Sequence, residues 1–412
     1  MNYFEGAYKV LKGVYLEDAY LSQELKSLEC DNLSLAVKII YGVLDKDILL
    51  DYYIRNLADK KPKNSVAIII KMGMYALEFL SVKPHAVING CVDLCKRVGK
   101  GQLSGFVNAI LRKFNLSSLP LPEDKMDYLS VKYSFKKEIV EMIVDDYGLS
   151  EAEKILSYDI PSNYVRVKEG IDGEEYLSSL GVEYKTTPFK NLYNVKGGVS
   201  EKEYKKGNLT SQTIGSVAIC EVIPPCEKLL DCCAAPGGKS VNLSAKCGSI
   251  VATELHLHRA ELIKKYCERM NAYNVQVITQ DMTKMREEFV GVFDSVLLDA
   301  PCSGYGTTLS NPDIKLRRTK SDVLSLKKLQ LDLLRNVKNY VKVGGQLYYS
   351  TCSILNAENI DNVREFLKDD SSFVLEEITS PLGCKNIDKC LQFLPHLSLG
   401  DGFFVCKLKR IK

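Results

Sequence analysis

A chain of 412 residues, 46% of them hydrophobic, carries enough apolar surface for two or three buried cores, which excludes a disordered chain. A formal net charge of +3 is too small to define a partner by itself, so charge has to be read locally. The 14 cysteines are scattered from Cys30 to Cys406 without a C-x-x-C pair, which suits reduced thiols better than a disulfide framework.

The start, Met1-Asn2-Tyr3-Phe4-Glu5-Gly6, lacks the basic opening and apolar core of a signal peptide, and no run reaches the eighteen apolar residues of a membrane span. A soluble, cytoplasmic protein is expected. From residue 1 to 118 apolar residues recur every three or four positions (Ile39-Ile40, Val43-Leu44, Ile68-Ile69, Met72, Phe79), punctuated by Pro62, Pro84 and Gly99-Lys100-Gly101; this predicts an all-α domain. Cys91 and Cys95 stand one helical turn apart with no second pair at zinc spacing, so core packing is expected and no metal site is predicted. Residues 60–113 hold ten basic side chains against two acidic ones, a balance that favours a phosphate backbone or, equally simply, solvated helix faces.

Residues 116–123, with prolines at 120 and 122, read as a linker. A small α+β domain is expected over 124–210: helical stretches at 136–147 and 150–158, then strand-like runs at 163–167 and 182–184 with a helix between them. From 211 to 412, strand candidates at 228–231, 249–254, 275–278, 294–299 and 345–351 alternate with helical stretches at 256–272, 322–340 and 356–368. This alternation predicts a mainly parallel, doubly wound α/β sheet of Rossmann-like type, whose ligands gather beyond the carboxyl ends of the strands.

Those ends are rich in chemistry. After the first strand comes Cys233-Ala234-Ala235-Pro236-Gly237-Gly238-Lys239, a small-residue turn on which backbone can approach a ligand. It lacks the first glycine of a phosphate loop, so a ligand without phosphates is favoured. Glu254, Asp281 and Asp299 follow the next three strands; Glu254 or Asp281 alone is either a helix cap or a binding acid, their joint occurrence after consecutive strands favours binding, and an acid after the second strand is placed to accept from a ribose. Asp299-Ala300-Pro301-Cys302-Ser303-Gly304 and Ser350-Thr351-Cys352-Ser353 add two thiols. A thiolate that adds to carbon 6 of a pyrimidine makes carbon 5 nucleophilic, and a second thiol and a carboxylate complete that chemistry. Buried structural cysteines remain the alternative.

Leu230–Lys239, Leu298–Gly304 and Tyr349–Ser353 together resemble the motifs of S-adenosylmethionine-dependent RNA 5-methylcytosine methyltransferases. Within these, Asn311–Lys315, Leu394-Pro395-His396, Gly400–Phe404 and Gly105–Lys113 are similar to the family of 16S ribosomal RNA cytosine-5 methyltransferase B, whose N-terminal RNA-binding domain is NusB-like. The resemblance implies S-adenosylmethionine as cofactor, bound through the turn 233–239, Glu254 at the ribose, Asp281 at the adenine edge, and Arg259 and Asp299 nearby. It implies Cys352 as nucleophile, Cys302 as the releasing thiol, and Asp299 between cofactor and base. The DNA enzymes of this chemistry attack from a Pro-Cys site, which keeps Cys302 as rival nucleophile. The family usually carries Asp where this chain has Glu254, and Cys232 has no expected role. The implied partner is a single-stranded or looped cytosine of ribosomal RNA, a monomer is expected, and the basic stretch 311–342 is expected to flank the RNA path. Rival readings are a methyltransferase of tRNA, DNA or a small molecule, and a non-catalytic RNA-binding factor.

Overall fold

The first helix, Tyr3–Leu16, opens on a capping box in which Asn2 accepts from the Glu5 N–H and the Glu5 side chain answers the Asn2 N–H. It begins a helical unit in a computed structural model that describes residues 1–115, 120–160 and 162–412. This unit comprises Met1–Ser157 together with Thr308–Thr319. Its helices include Leu33–Asp45, Asp47–Leu57, Asn64–Phe79, Pro84–Cys95 and Ser104–Lys113, followed by Lys125–Tyr133, Lys137–Tyr147 and Leu149–Ser157. Leu11, Ile39, Ile40, Ile69, Ile70 and Val107 are fully buried in one core, which is what the three-to-four spacing requires. Cys91 and Cys95 lie in that core as small hydrophobes. Of the expected linker, 116–119 lie outside the described residues.

The segment Thr308–Thr319 belongs to the helical unit although its number places it among the later strands. Lys315 is buried there: its Nζ donates to Asp45 Oδ1 at 2.6 Å and to the Tyr133 carbonyl at 3.2 Å, and lies 4.3 Å from the Phe135 ring centre. Arg317 pairs with Asp18. These two cations of the basic stretch 311–342 are therefore engaged in holding the segment, which corrects the expectation that the whole stretch flanks RNA. Lys71, counted in the stretch 60–113, is likewise buried and paired with Asp47 and Asp51.

The second unit comprises Tyr158–Thr307 and Lys320–Lys412. Contacts thus group the helices of 124–157 with the N-terminal region and the small strands with the large sheet, a partition different from the expected three domains. The small sheet is antiparallel, ordered β2-β3-β1-β4: β1 (Tyr164–Val167), β2 (Tyr184–Thr186), β3 (Leu192–Val195) and β4 (Leu209–Ser211). The expected strand at 182–184 begins two residues later.

The large sheet carries β5 (Cys226–Cys232), β6 (Cys247–Glu254), β7 (Val275–Thr279), β8 (Phe293–Asp299) and β9 (Val341–Thr351), all parallel. To these the chain adds β10 (Phe373–Glu376), β11 (Lys385–Ile387), β12 (Cys390–Phe393) and β13 (Phe403–Arg410), none foreseen from the sequence, with β13 antiparallel to β9. The order is β11-β12-β13-β9-β8-β5-β6-β7, with β10 on β13. Successive residues point to opposite faces, and both faces are covered. Leu230, Val296, Leu298 and Tyr349 enter one core, and Leu229, Leu297 and Tyr348 the other. The strand order reverses between β5 and β8, which opens the crevice where such sheets bind ligands.

Candidate active site

The turn after β5 is built around unusual backbone. Cys233 takes φ of 59° and Gly237 φ of 104°, the left-handed region that glycine occupies without strain. A side chain at Gly237 would also stand 3.0 Å from Ile263, whereas the position of a Cβ on Gly238 has no atom within 4 Å. The turn is pinned from behind by the Ala234 N–H donating to the Thr253 carbonyl at 2.8 Å and left open in front. Cys232 is fully buried in the sheet core with its thiol pushed up by burial, so this cysteine packs and does not face a ligand. Asp231 is also fully buried and accepts from Ser240 Oγ at 2.5 Å. Burial raises its pKa to about 7, against the Ser240 bond and with a further push from Asp299.

At the end of β6, Glu254 is 3% exposed. Its Oε1 accepts from the His256 N–H at 3.1 Å and from Arg259 NH1 at 3.4 Å, and Arg259 NH2 also reaches the Ala235 carbonyl at 3.3 Å. Arg259 thus ties the acid to the turn while Oε2 keeps its acceptor capacity. Asp281 caps its own turn: Oδ1 accepts from the Thr283 N–H at 3.0 Å and hydroxyl at 2.7 Å, and the hydroxyl bond is the first cause that holds its carboxyl below the usual range. An open position at Gly238 and carboxyl groups at the ends of β6 and β7 suit a ligand that carries hydroxyls and an amine.

Asp299 closes β8. Lys239, at the far end of the turn, donates to its Oδ2 at 2.6 Å, and Ser350 donates to its Oδ1 at 2.9 Å. Burial works against the Lys239 charge, but Asp299 more than offsets it and raises the pKa. Three residues later Cys302 brings its sulfur to 3.1 Å from that of Cys352; both thiols are free and half-buried. Cys302 is held well above the ordinary thiol range, first by the hydrogen bond with Cys352 and then by burial. The two cysteine candidates and Asp299 therefore lie on neighbouring loops, with β8 and β9 paired as far as Asp299 and Ser350.

Sequence reasoning missed the layer beneath. Glu358, fully buried, accepts from both Ser303 and Ser353, the serines that follow the two cysteines, and from Gln330. Asn359 donates to the Ser353 carbonyl at 3.0 Å and accepts from Thr351 Oγ1 at 2.5 Å. The repeated Cys-Ser pair was a readable signal for the serines; the acid that joins them had none.

The reversed parallel sheet has the Rossmann-like fold of S-adenosylmethionine-dependent methyltransferases, and the family matches that follow make the chain one of that class, joined to a helical NusB domain. Comparison gives the family. Residues 223–409 match the model described as 16S rRNA methyltransferase RsmB/F, and residues 5–115 match the NusB family. The chain is 31% identical to the probable ribosomal RNA small subunit methyltransferase B of Bacillus subtilis over 95% of both chains. To the probable enzyme of the same name from Synechocystis it is 29% identical over 98% of both. The crystal structure of PH0851 shares the fold over 99% of each chain, with a TM-score of 0.83 at 24% identity. The chain belongs to the ribosomal RNA small subunit methyltransferase B family.

Proposed function

We propose that this chain methylates carbon 5 of a cytosine in small-subunit ribosomal RNA, through a transient bond between Cys352 and carbon 6 of the base. The observation that carries the reading is the 3.1 Å approach of the Cys302 and Cys352 sulfurs on loops next to Asp299. When bound, S-adenosylmethionine supplies an electrophilic methyl group to the activated carbon 5. The turn 233–239, Glu254, Arg259 and Asp281 would hold that cofactor, with the open side of Gly238 and the free Oε2 of Glu254 as supporting features.

Addition of the Cys352 thiolate to carbon 6 forms the carbon–sulfur bond and moves the ring electron pair towards carbon 5 and nitrogen 3. Asp299 is the group to meet nitrogen 3 and deliver the proton that neutralises that charge. After methylation a solvent water takes the carbon 5 proton, whose bonding pair rebuilds the carbon 5–carbon 6 double bond as the carbon–sulfur bond breaks and returns the Cys352 thiolate; nitrogen 3 gives its proton back to Asp299. Cys302, touching Cys352, assists this release. A base stacked in a duplex is out of reach of such a thiol, so the target is unpaired or flipped out.

The test is bisulfite sequencing of small-subunit ribosomal RNA from cells with and without this protein, repeated on transcript methylated by the purified chain. One cytosine should lose its protection in the deletion and regain it in vitro. Methylation confined to tRNA, or at an atom other than carbon 5, refutes the reading.

A further inference from the structure

Cys302 and Cys352 ride on loops fifty residues apart, and their serine neighbours do not hold those loops to one another: Ser303 Oγ and Ser353 Oγ are 3.5 Å apart, too long for a good hydroxyl bond. Glu358 spans the gap. Its Oε1 accepts from the Ser303 N–H at 2.7 Å and from Gln330 Nε2 at 3.1 Å; its Oε2 accepts from Ser303 Oγ at 2.5 Å and Ser353 Oγ at 2.6 Å. Gln330 Nε2 also donates to the Pro301 carbonyl at 2.9 Å, so the residue before Cys302 is fixed by the same cluster. Tyr349 donates to the main-chain carbonyl of Glu358 and anchors it to β9.

Among the described residues every partner of this carboxyl group is a neutral donor, although the side chain is fully buried. A buried carboxyl group without a cation is costly, and an apolar residue of similar size would fill the space at less expense. What an apolar residue could not do is accept from two loops at once. We propose that Glu358 is a positioning residue: by gathering Ser303 and Ser353 on one carboxyl group it holds the Cys302 and Cys352 sulfurs together for the reaction. This rests on the reading of both cysteines as reacting groups. Burial raises the Glu358 pKa, opposed by the bonds from Ser303 and Ser353.

Phenylarsine oxide tests convergence without any methyl transfer, because one arsenic bonds to two adjacent sulfurs and the two thiol protons leave with its oxygen as water. In the full-length protein, mass spectrometry should find the Cys302 and Cys352 peptides joined. Glu358→Ala, folded by circular dichroism, should lower that bridging and kcat by about 10–100-fold while KM for RNA holds. Glu358→Gln keeps an acceptor for the Ser303 N–H and can donate to both serine hydroxyls, so it should restore most of both readouts. A folded Glu358→Ala protein with wild-type bridging and kcat overturns the proposal. Should that variant fail to fold, Ser353→Ala removes one of the two hydroxyls that Glu358 gathers, together with the bond that hydroxyl accepts from the Leu355 N–H, and undiminished bridging in it overturns the proposal equally. If wild-type protein methylates no RNA while bridging still depends on Glu358, the functional reading falls and the positioning role stands.

Discussion

The sulfur of Cys302 lies 3.1 Å from the sulfur of Cys352. At that distance the two thiols are not independent, and either sulfur can be the donor between them. Hydrogen bonding to Cys352, then burial, holds Cys302 well above the ordinary thiol range. This agrees with the proposed division of labour, in which Cys302 keeps its proton and Cys352 is the attacking thiol. Cys352→Ala is expected to lower transfer by about a thousandfold or more, as loss of a covalent nucleophile does. Cys302→Ala should instead accumulate a protein–RNA adduct that survives a denaturing gel. Accumulation in Cys352→Ala would exchange the two roles.

Asp231 gives a pH dependence of stability. Its folded pKa of about 7, raised first by burial, exceeds the roughly 3.9 of an unfolded aspartate, so the folded state binds the extra proton between those values. Its contribution is therefore full below about pH 4 and is lost as pH rises through 7. Asp231→Asn should raise the melting temperature relative to wild type more at pH 8 than at pH 5. Glu358 shifts in the same direction, so the variant removes only part of the decline. An equal difference at both pH values rejects the assignment.

Much of this was legible in the sequence because parallel strands buried on both faces are continuous apolar runs that end in abrupt polar turns. β5 to β9 were located to within a few residues, and the turn 233–239, Glu254, Asp281, Asp299 and Cys302 fell at strand ends as expected. Strands β10 to β13 escaped because three of them are three or four residues long or carry alternating lysines, with no helices between to mark a parallel sheet. The place of Lys315 escaped for a different reason. A lysine reads as solvated unless a distant partner such as Asp45 is known, and 270 residues separate the two. Glu358 likewise takes its meaning from Ser303, Gln330 and Ser353, which only the fold brings together.

Burial divides the basic residues of 60–113 into two sets. Lys60, Lys63 and Lys113 are exposed, whereas Lys71 is buried and paired with Asp47. If the exposed set meets RNA phosphates, affinity should fall steeply between about 50 and 200 mM salt, and each exposed lysine replaced by alanine should reduce the log–log salt slope by about one. Lys71→Met should leave the slope unchanged while lowering stability. A slope that ignores the exposed lysines would move the RNA contact elsewhere.

Gly306 and Gly238 are expected to respond oppositely to alanine. A Cβ on Gly306 would stand 2.1 Å from the Gly402 carbonyl oxygen and 2.8 Å from that of Cys352, and both are main-chain atoms that cannot swing aside. The same glycine donates to the Cys352 carbonyl at 3.0 Å and accepts from the Gly402 N–H at 2.6 Å, so any retreat drags the Cys352 loop with it. Gly306→Ala should cost about 1–3 kcal/mol or more in urea unfolding and slow adduct formation with a 5-fluorocytosine RNA. At Gly238 the added methyl meets nothing in the protein, and alanine suits the start of helix Gly238–Leu243, so stability should hold or rise by about 0.4–1 kcal/mol. The cost should appear instead as weaker S-adenosylmethionine binding by calorimetry, because the methyl fills the open side of the turn. Unchanged cofactor affinity in Gly238→Ala would show that the ligand lies elsewhere along the strand ends.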